Sequence, residues 1–390
     1  MSKKTYKFRL FPSKEQIHIL NNTLELCRWT YNQTLAYRKE RWESEQKNTS
    51  KYDTHHLLPL WKQEKPELGS VYSQVLQNVQ ERVDLAFQAF FRRVRNHENP
   101  GYPRFKGRGW YDSFIYPQTG FKIVDGKLRL SKIGDIKIKL HRKIEGIIKR
   151  LTIQRTIRGK WFCCFSTEQE DFLVPSNCGP VVGIDLGLIN FITFSDGSTI
   201  ENPRFFRSEE DILAKKQSQR DKLPKGSKER VKLTKVVQRI HERISNKRSD
   251  FTHQLSRKLV EKYSVICFED LDVRQMLQNG SKSPQQRGLH KSISDASWSI
   301  LQRFTSYKAE SAGSKVVFVD SKDTSKICSS CGMIVEKLLS DRIHKCPFCG
   351  LGMDRDHNAA LNILRLGLQS VRKANFQLQP LAPFGATVNR

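Results

Sequence analysis

Two Cys-x-x-Cys pairs, fourteen residues apart, constrain this chain more than any other feature. They are Cys328-Ser-Ser-Cys331 and Cys346-Pro-Phe-Cys349. That spacing is the spacing of a tetrahedral zinc ribbon. Each turn bends the backbone so that both thiolates face one ion. Gly332 and Gly350 follow the pairs, where a tight turn wants a residue free of Cβ strain. Four protein thiolates leave no open position for water or substrate, so the expected zinc is structural. Shortly after the second pair comes Asp354-Arg-Asp356-His-Asn-Ala-Ala360, a helix start that carries carboxylates. The metal module therefore lies directly before an acidic helix mouth.

Charge sets the partner. The 390 residues hold 68 Lys and Arg against 40 Asp and Glu, a formal charge of +28. Such an excess repels itself unless a polyanion neutralises it. Nucleic acid is the expected polyanion, since its phosphates release counterions on binding. A membrane surface fits less well, because no basic amphipathic terminal helix or lipidation motif is present. No apolar run is long enough to span a bilayer, and Met1-Ser-Lys-Lys-Thr-Tyr-Lys has no apolar signal region. The remaining cysteines are Cys27, Cys163, Cys164, Cys178 and Cys267, mostly in apolar runs that read as core. A reducing, cytoplasmic location is the expectation, with neither membrane nor small-molecule substrate as partner.

The length suggests about two to three domains. Residues 4–11 alternate, with Tyr6, Phe8 and Leu10 on one face and Lys7 and Arg9 on the other, which predicts a strand. Ser13 and Gln16 form a capping-box pattern, and residues 14–98 read as helical. Leu76, Val79, Val83, Ala86, Phe87, Phe90 and Phe91 recur at helical spacing. From 99 to 176 the pattern is short strands, with Asp125-Gly126 as a hairpin turn. A small β-barrel is predicted, with strand 1–13 joining it and the helical block inserted.

From 177 the pattern is α/β. Val181 to Gly187 and Ile189 to Phe194, with Ser195-Asp-Gly-Ser198 turning into another strand, predict a three-stranded meander. Helices follow at 209–222 and 228–262, then a buried strand Ser264-Val-Ile-Cys-Phe268 ending in Glu269. Helix 294–311 and strand 315–319 precede the cysteines. Residues 368–390 contain no acidic group and no periodicity, and are expected to be disordered.

This order is that of an RNase H-like domain: early strands, helices, a fourth strand, more α/β and a final helix. In that fold, acids project from strand 1, strand 4 and the last helix toward one point. Asp185, Glu269 and Asp356 occupy those places. Three such carboxylates bind two Mg²⁺ ions about 4 Å apart, one activating water and one stabilising the leaving oxygen. Oxygen ligands suit Mg²⁺ or Mn²⁺, whereas the cysteines suit zinc. Asp270 and Asp272 follow Glu269 closely, and Asp354 competes with Asp356, because one of these two could cap the helix.

Gly101-Tyr102-Pro-Arg104-Phe105-Lys106-Gly-Arg-Gly-Trp110-Tyr111 interleaves cations, rings and glycines. That composition suits phosphate contact with base stacking, and a solvated linker is the plainer alternative. Lys215 to Arg257 is a basic helical pair, either a solvated face or a contact surface whose charges suit backbone recognition and not base readout.

Taken together, Gly183-Ile-Asp-Leu-Gly187, Phe268-Glu-Asp-Leu271, Thr324-Ser-Lys-Ile-Cys-Ser-Ser-Cys-Gly332 and Asp354-Arg-Asp-His-Asn-Ala-Ala360 resemble the TnpB (OrfB) proteins of bacterial insertion sequences. Lys4-Thr-Tyr6-Lys7-Phe-Arg9-Leu10, residues 101–106 and Asn246-Lys-Arg248-Ser-Asp-Phe-Thr-His253 extend the match across residues 4–365. The resemblance implies a compact RNA-guided DNA endonuclease, related to small type V CRISPR effectors. It implies a RuvC-type nuclease domain over 177–323 and 352–367, interrupted by the zinc ribbon at 324–351. The barrel would be a wedge domain over 1–13 and 99–176, and the helical block 14–98 a recognition domain. The partners would be a guide RNA and double-stranded target DNA, in the bacterial cytoplasm at the nucleoid. By motif, Asp185, Glu269 and Asp356 would be the catalytic, Mg²⁺-binding acids, and Cys328, Cys331, Cys346 and Cys349 the zinc ligands. Lys4, Tyr6, Lys7, Arg9, Tyr102, Arg104, Phe105, Lys106, Asn246, Arg248 and His253 would contact nucleic acid. Two other functions share these features: a strand-transferring transposase, and a nuclease-inactive RNA-guided repressor.

Overall fold

Period-two alternation builds the first strand. In β1 (Ser2–Phe11), Tyr6, Phe8 and Leu10 are buried while Lys4 and Lys7 face solvent. The structure, a computed structural model, describes residues 2–170, 175–278, 283–320, 322–338 and 341–377. The chain divides into two compact units, Met1–Phe172 and Leu173–Arg390.

In the first unit, the Ser13–Gln16 capping box opens α1 (Lys14–Glu45). The Ser13 hydroxyl accepts from the Gln16 N–H at 3.2 Å, and the Gln16 side chain accepts from the Ser13 N–H at 3.0 Å. Next come α2 (Lys51–His55), α3 (Leu57–Glu64), a 3₁₀ turn and α4 (Ser73–Arg95). The α4 stripe buries Val75, Leu76, Val79, Val83 and Phe87, whereas Phe91 stays exposed. A largely buried ion pair, Arg38–Asp84 at 2.8 Å, links α1 to α4.

The strands are β2 (Ser113–Tyr116), β3 (Phe121–Val124), β4 (Lys127–Leu130), β5 (Gly134–Lys139), β6 (Ile147–Arg155) and β7 (Trp161–Gln169). Their order is β2-β6-β7-β1-β5-β4-β3. β1 is central, and the two edge strands β2 and β3 are consecutive in the chain, so the sheet is a nearly closed barrel. One core joins barrel strands and helices: Phe8, Phe114, Trp161 and Phe165 with Leu20, Leu35, Leu76 and Val83.

The second unit holds β8 (Val181–Leu186), β9 (Asn190–Phe194), β10 (Thr199–Glu201), α5 (Glu210–Asp221), α6 (Lys228–Lys262) and β11 (Val265–Asp270). It continues with α7 (Val273–Gln278), α8 (Pro284–Ala296), α9 (Trp298–Ala312), β12 (Lys315–Asp320), β13 (Ile343–Lys345), β14 (Gly352–Asp354) and α10 (Arg355–Gln377). The main sheet has the order β10-β9-β8-β11-β12, antiparallel through the meander and parallel from β8 to β12. Ile266 and Phe268 pack with α6 and α9 side chains on one face. Cys267 and Val319 meet Ile363 of α10 on the other. Burial on both faces is what a parallel segment requires.

Two expectations change. The helix predicted at 294–311 is two helices, because Ser297 adopts a left-handed conformation at φ 57° and breaks the run. The tail predicted to be disordered over 368–390 is helical to residue 377, with 378–390 outside the described residues. Leu, Gln, Arg, Lys and Ala are good helix formers, and they extend a helix already nucleated by packing upstream. Among the described residues, no helix is long and apolar enough to cross a membrane.

Candidate active site and metal centre

Parallel pairing brings two of the acids together. β11 lies beside β8 with Cys267 opposite Gly183 and Phe268 opposite Ile184. Asp185 and Glu269 each follow the last of these pairs by one residue. Neighbouring strands are about 4.8 Å apart, and side chains in register point the same way. Cys267 faces α10, so Glu269, two residues on, lies on the same face.

The third acid arrives by a close helix–strand crossing. A Cβ at Gly183 would strike the carbonyl oxygen of Ala360 and the N–H nitrogen of Leu364, both backbone atoms of α10. Only glycine permits that approach. Asp356 lies one helical turn before Ala360, about 6 Å along the axis, and Asp185 lies two residues past Gly183, about 7 Å along the strand. The offsets bring their charges within reach of each other. Gly183→Ala is expected to cost about 1–3 kcal/mol through overpacking, read as a lower denaturation midpoint with an unchanged denaturant slope.

The electrostatics record this gathering. Burial pushes the Asp185 carboxyl well above the ordinary range, and the negative charges of Glu269 and Asp356 push it further. Arg355 opposes them, and Asp354 adds to them. Glu269 is raised by burial and partly relieved by a hydrogen bond from Thr324. Asp185 makes no side-chain hydrogen bond to a described residue, whereas Glu269 Oε1 accepts from Thr324 Oγ1 at 2.6 Å.

The neighbouring acids have other tasks. Asp354 Oδ1 accepts from the N–H groups of Asp356 and His357 at 2.9 and 3.0 Å, so it caps α10. Asp272 caps α7 by accepting from the Gln275 N–H at 2.9 Å, and Asp270 is exposed.

The four cysteines form a candidate metal centre. Their sulfurs all lie within 4.8 Å of one another. Gly332 and Gly350 have φ of 78° and 75° and donate to the carbonyls of Cys328 and Cys346, which closes the two knuckles. Burial works against ionisation of Cys346. Backbone N–H groups of Cys349 and Phe348, with the neighbouring thiols, bring it down to about 7. The donor set and its spacing fit a structural zinc. No three of the carboxylates lie that tightly together among the described residues.

Clamps that the motifs did not reveal join the two centres. Asn358 and Asn362 of α10, both buried, hold the segment that leads into Cys328. Asn358 donates to the Ile327 carbonyl at 2.8 Å and accepts from the Ser329 N–H at 2.9 Å. Asn362 donates to the carbonyls of Thr324 and Ile327 at 2.9 and 2.7 Å. Gln302 of α9 donates to the Glu269 carbonyl at 2.8 Å. The available signal was the pair of asparagines four apart on one helix face.

The residues expected to contact nucleic acid divide by exposure. Lys4, Lys7, Arg104, Phe105, Asn246 and His253 are exposed, and Arg9 is half-buried over the Phe162 ring. His253 stacks on Phe304 with centroids 3.9 Å apart. Tyr102 is partly exposed and packs edge-on against Phe87 and Phe90. Lys106 is held through its backbone by Asn32 and Arg28. Tyr6 is a correction: its ring is buried in the barrel core, because the β1 alternation turns it inward. Arg248 is committed to Asp295 at 2.6 Å.

A mixed sheet with three gathered acids and an adjoining four-cysteine ribbon defines an α/β protein with a metal-binding module. Residues 164–280 match the family model OrfB_IS605, described as a probable transposase. Residues 298–363 match a Cas12f1-like TNB domain, and residues 1–47 a helix-turn-helix domain. Two relatives carry the name "Putative RNA-guided DNA endonuclease". The one from Streptomyces pristinaespiralis is 35% identical, over 94% of this chain and 90% of its own length. The other, InsQ of Escherichia coli K12, is 30% identical, over 93% of this chain and 92% of its own. The chain belongs to the TnpB (OrfB) family. Its fold is like that of Cas12f1 in a complex with sgRNA and target DNA, with a TM-score of 0.55 and 15% identity, covering 90% of this chain and 83% of that one.

Proposed function

We propose that the protein is an RNA-guided DNA endonuclease encoded by a transposable element, which hydrolyses target DNA at one RuvC-type site. The observation that carries this reading is the gathering of Asp185, Glu269 and Asp356 at one end of the β8–β11 sheet, under α10, in a chain of net charge +28. The strand order, with a central β8 flanked by an antiparallel meander and two parallel strands, supports reading the sheet as RNase H-like. The names of the relatives agree with it.

Asp185, Glu269 and Asp356 would hold two Mg²⁺ ions. Their crowding fits that role, since buried carboxylates that raise one another's pKa await a cation. The chemistry such ions supply when bound is a water nucleophile at neutral pH and neutralisation of charge on the phosphate and leaving oxygen. The chain's own residues fix the acids. Thr324 orients Glu269, Asp354 caps the helix that presents Asp356, and Gly183 allows that helix to approach Asp185. The cysteines hold a structural zinc in the ribbon at 324–351.

The remaining assignments follow from the same reading. The barrel, 1–13 and 99–176, is the wedge, and the helices within 14–98 form the recognition domain. Residues 177–323 and 352–367 form the nuclease domain. Lys4, Lys7, Arg9, Arg104, Phe105, Asn246 and His253 contact a guide RNA or the double-stranded target. The protein works in the bacterial cytoplasm at the nucleoid.

The test is to sequence the RNA that co-purifies with the full chain, then to offer DNA complementary to it with Mg²⁺. A defined RNA and cleavage at the matching DNA are expected. A requirement for element-end DNA, with joined products, would replace this reading by strand transfer. Guide-dependent binding without cutting would replace it by repression.

A further inference from the structure

A short chain of hydrogen bonds links Glu269, through Thr324 and two asparagines, to the backbone beside Cys328. Glu269 is 9% exposed and Thr324 only 2%. The Thr324 hydroxyl donates to Oε1 at 2.6 Å. Oε2 receives no hydrogen bond from a described residue. One carboxylate oxygen is therefore held by the protein and the other left for a ligand. Thr324 is itself held, since its carbonyl accepts from Asn362, which also grips Ile327 beside Cys328. Asn358 grips Ile327 and Ser329 on either side of that cysteine. Both asparagines sit on α10, the helix that carries Asp356.

We infer that Thr324 is a positioning residue for Glu269, and that the zinc ribbon acts through it to hold the acid in the geometry a divalent ion needs. This rests on the nuclease reading of the site and adds a role for the ribbon separate from any contact with nucleic acid. Carboxylates that bind metals are oriented by such partners, and losing one typically lowers metal affinity about 10–100-fold. Buried Glu269 without its donor would be free to rotate away from that geometry.

The experiment uses the full chain with its co-purified RNA. Thr324→Val keeps the shape and removes the donor, and Thr324→Ser restores it. Mn²⁺ binding is measured by the electron paramagnetic resonance of the free ion, alongside the Mg²⁺ dependence of cleavage and zinc content. Thr324→Val is expected to weaken Mn²⁺ binding and raise the half-saturating Mg²⁺ by about 10-fold. Saturating Mg²⁺ should recover most of the maximal rate, zinc should stay bound, and Thr324→Ser should behave like the parent. Removing zinc from the parent protein with a chelator should weaken Mn²⁺ binding as well, which tests the coupling even if Thr324→Val misfolds. Unchanged Mn²⁺ affinity in either experiment overturns the inference. Asp185→Asn separates the two levels. If that variant cleaves normally, the site reading itself fails. If it is inactive while Thr324→Val matches the parent, only the positioning role fails.

Discussion

Asp185→Asn is expected to stop DNA cleavage and to leave RNA binding intact. The expected loss is about 10³-fold or more, about 4 kcal/mol of transition-state stabilisation, since a metal-ion site supplies several kcal/mol. RNA binding should persist, because Asp185 lies among carboxylates and offers nothing to a phosphate. The same variant should be more stable than the parent when no divalent ion is present. Asp185 has a folded pKa raised above its unfolded value, by burial and by Glu269 and Asp356. Such a group supports folding while protonated, below the unfolded value near 4, and that support is lost as pH rises through the raised value. Above that raised value the ionised form is a burden that asparagine removes. The melting temperatures should therefore diverge as pH rises, with Asp185→Asn the higher, and Mg²⁺ should raise only the parent. Equal cleavage by both proteins would refute the assignment of the site.

Cys346→Ser should release the zinc and stop cleavage together. Structural zinc contributes about 10–16 kcal/mol of apparent folding free energy in isolated fingers at neutral pH. Losing one thiolate of four removes a large share of it. The damage cannot stay within the ribbon. β14 pairs with β13, and its last residue, Asp354, caps the helix that presents Asp356. Elemental analysis should show less than one zinc per chain, and hydrogen exchange should rise over residues 324–354. A variant that keeps full zinc, or cuts without it, would count against the ribbon's structural role.

The sequence disclosed some levels of this organisation and not others. The cysteine quartet was legible because ligand spacing in a knuckle is a local property, fixed by one turn of chain. Helix 228–262 was legible for the same reason, its apolar stripe and basic faces giving a clear period, and the observed α6 spans Lys228–Lys262. The barrel strands could be seen by alternation, but their order could not, because pairing of β1 with both β7 and β5 is non-local. Asp354 and Asp356 competed in sequence, with Asp356 favoured by motif, and the cap hydrogen bonds give Asp354 the capping role. Thr324 looked like part of a motif, and its bond to a carboxylate 55 positions away had no sequence signal. The break at Ser297 was hidden because neither glycine nor proline marks it.

The gathered acids come from positions 185, 269 and 356, and the last sits at the start of α10. A chain emerging from the ribosome therefore completes its barrel long before it has a third carboxylate to offer. Any translation product or proteolytic fragment ending before residue 356 lacks part of the cluster, however well its earlier domains have folded. On the proposed reading, the full acid cluster exists only once the final helix has docked against Gly183. Under the proposed function, premature termination would thus yield products without the complete site for cleavage.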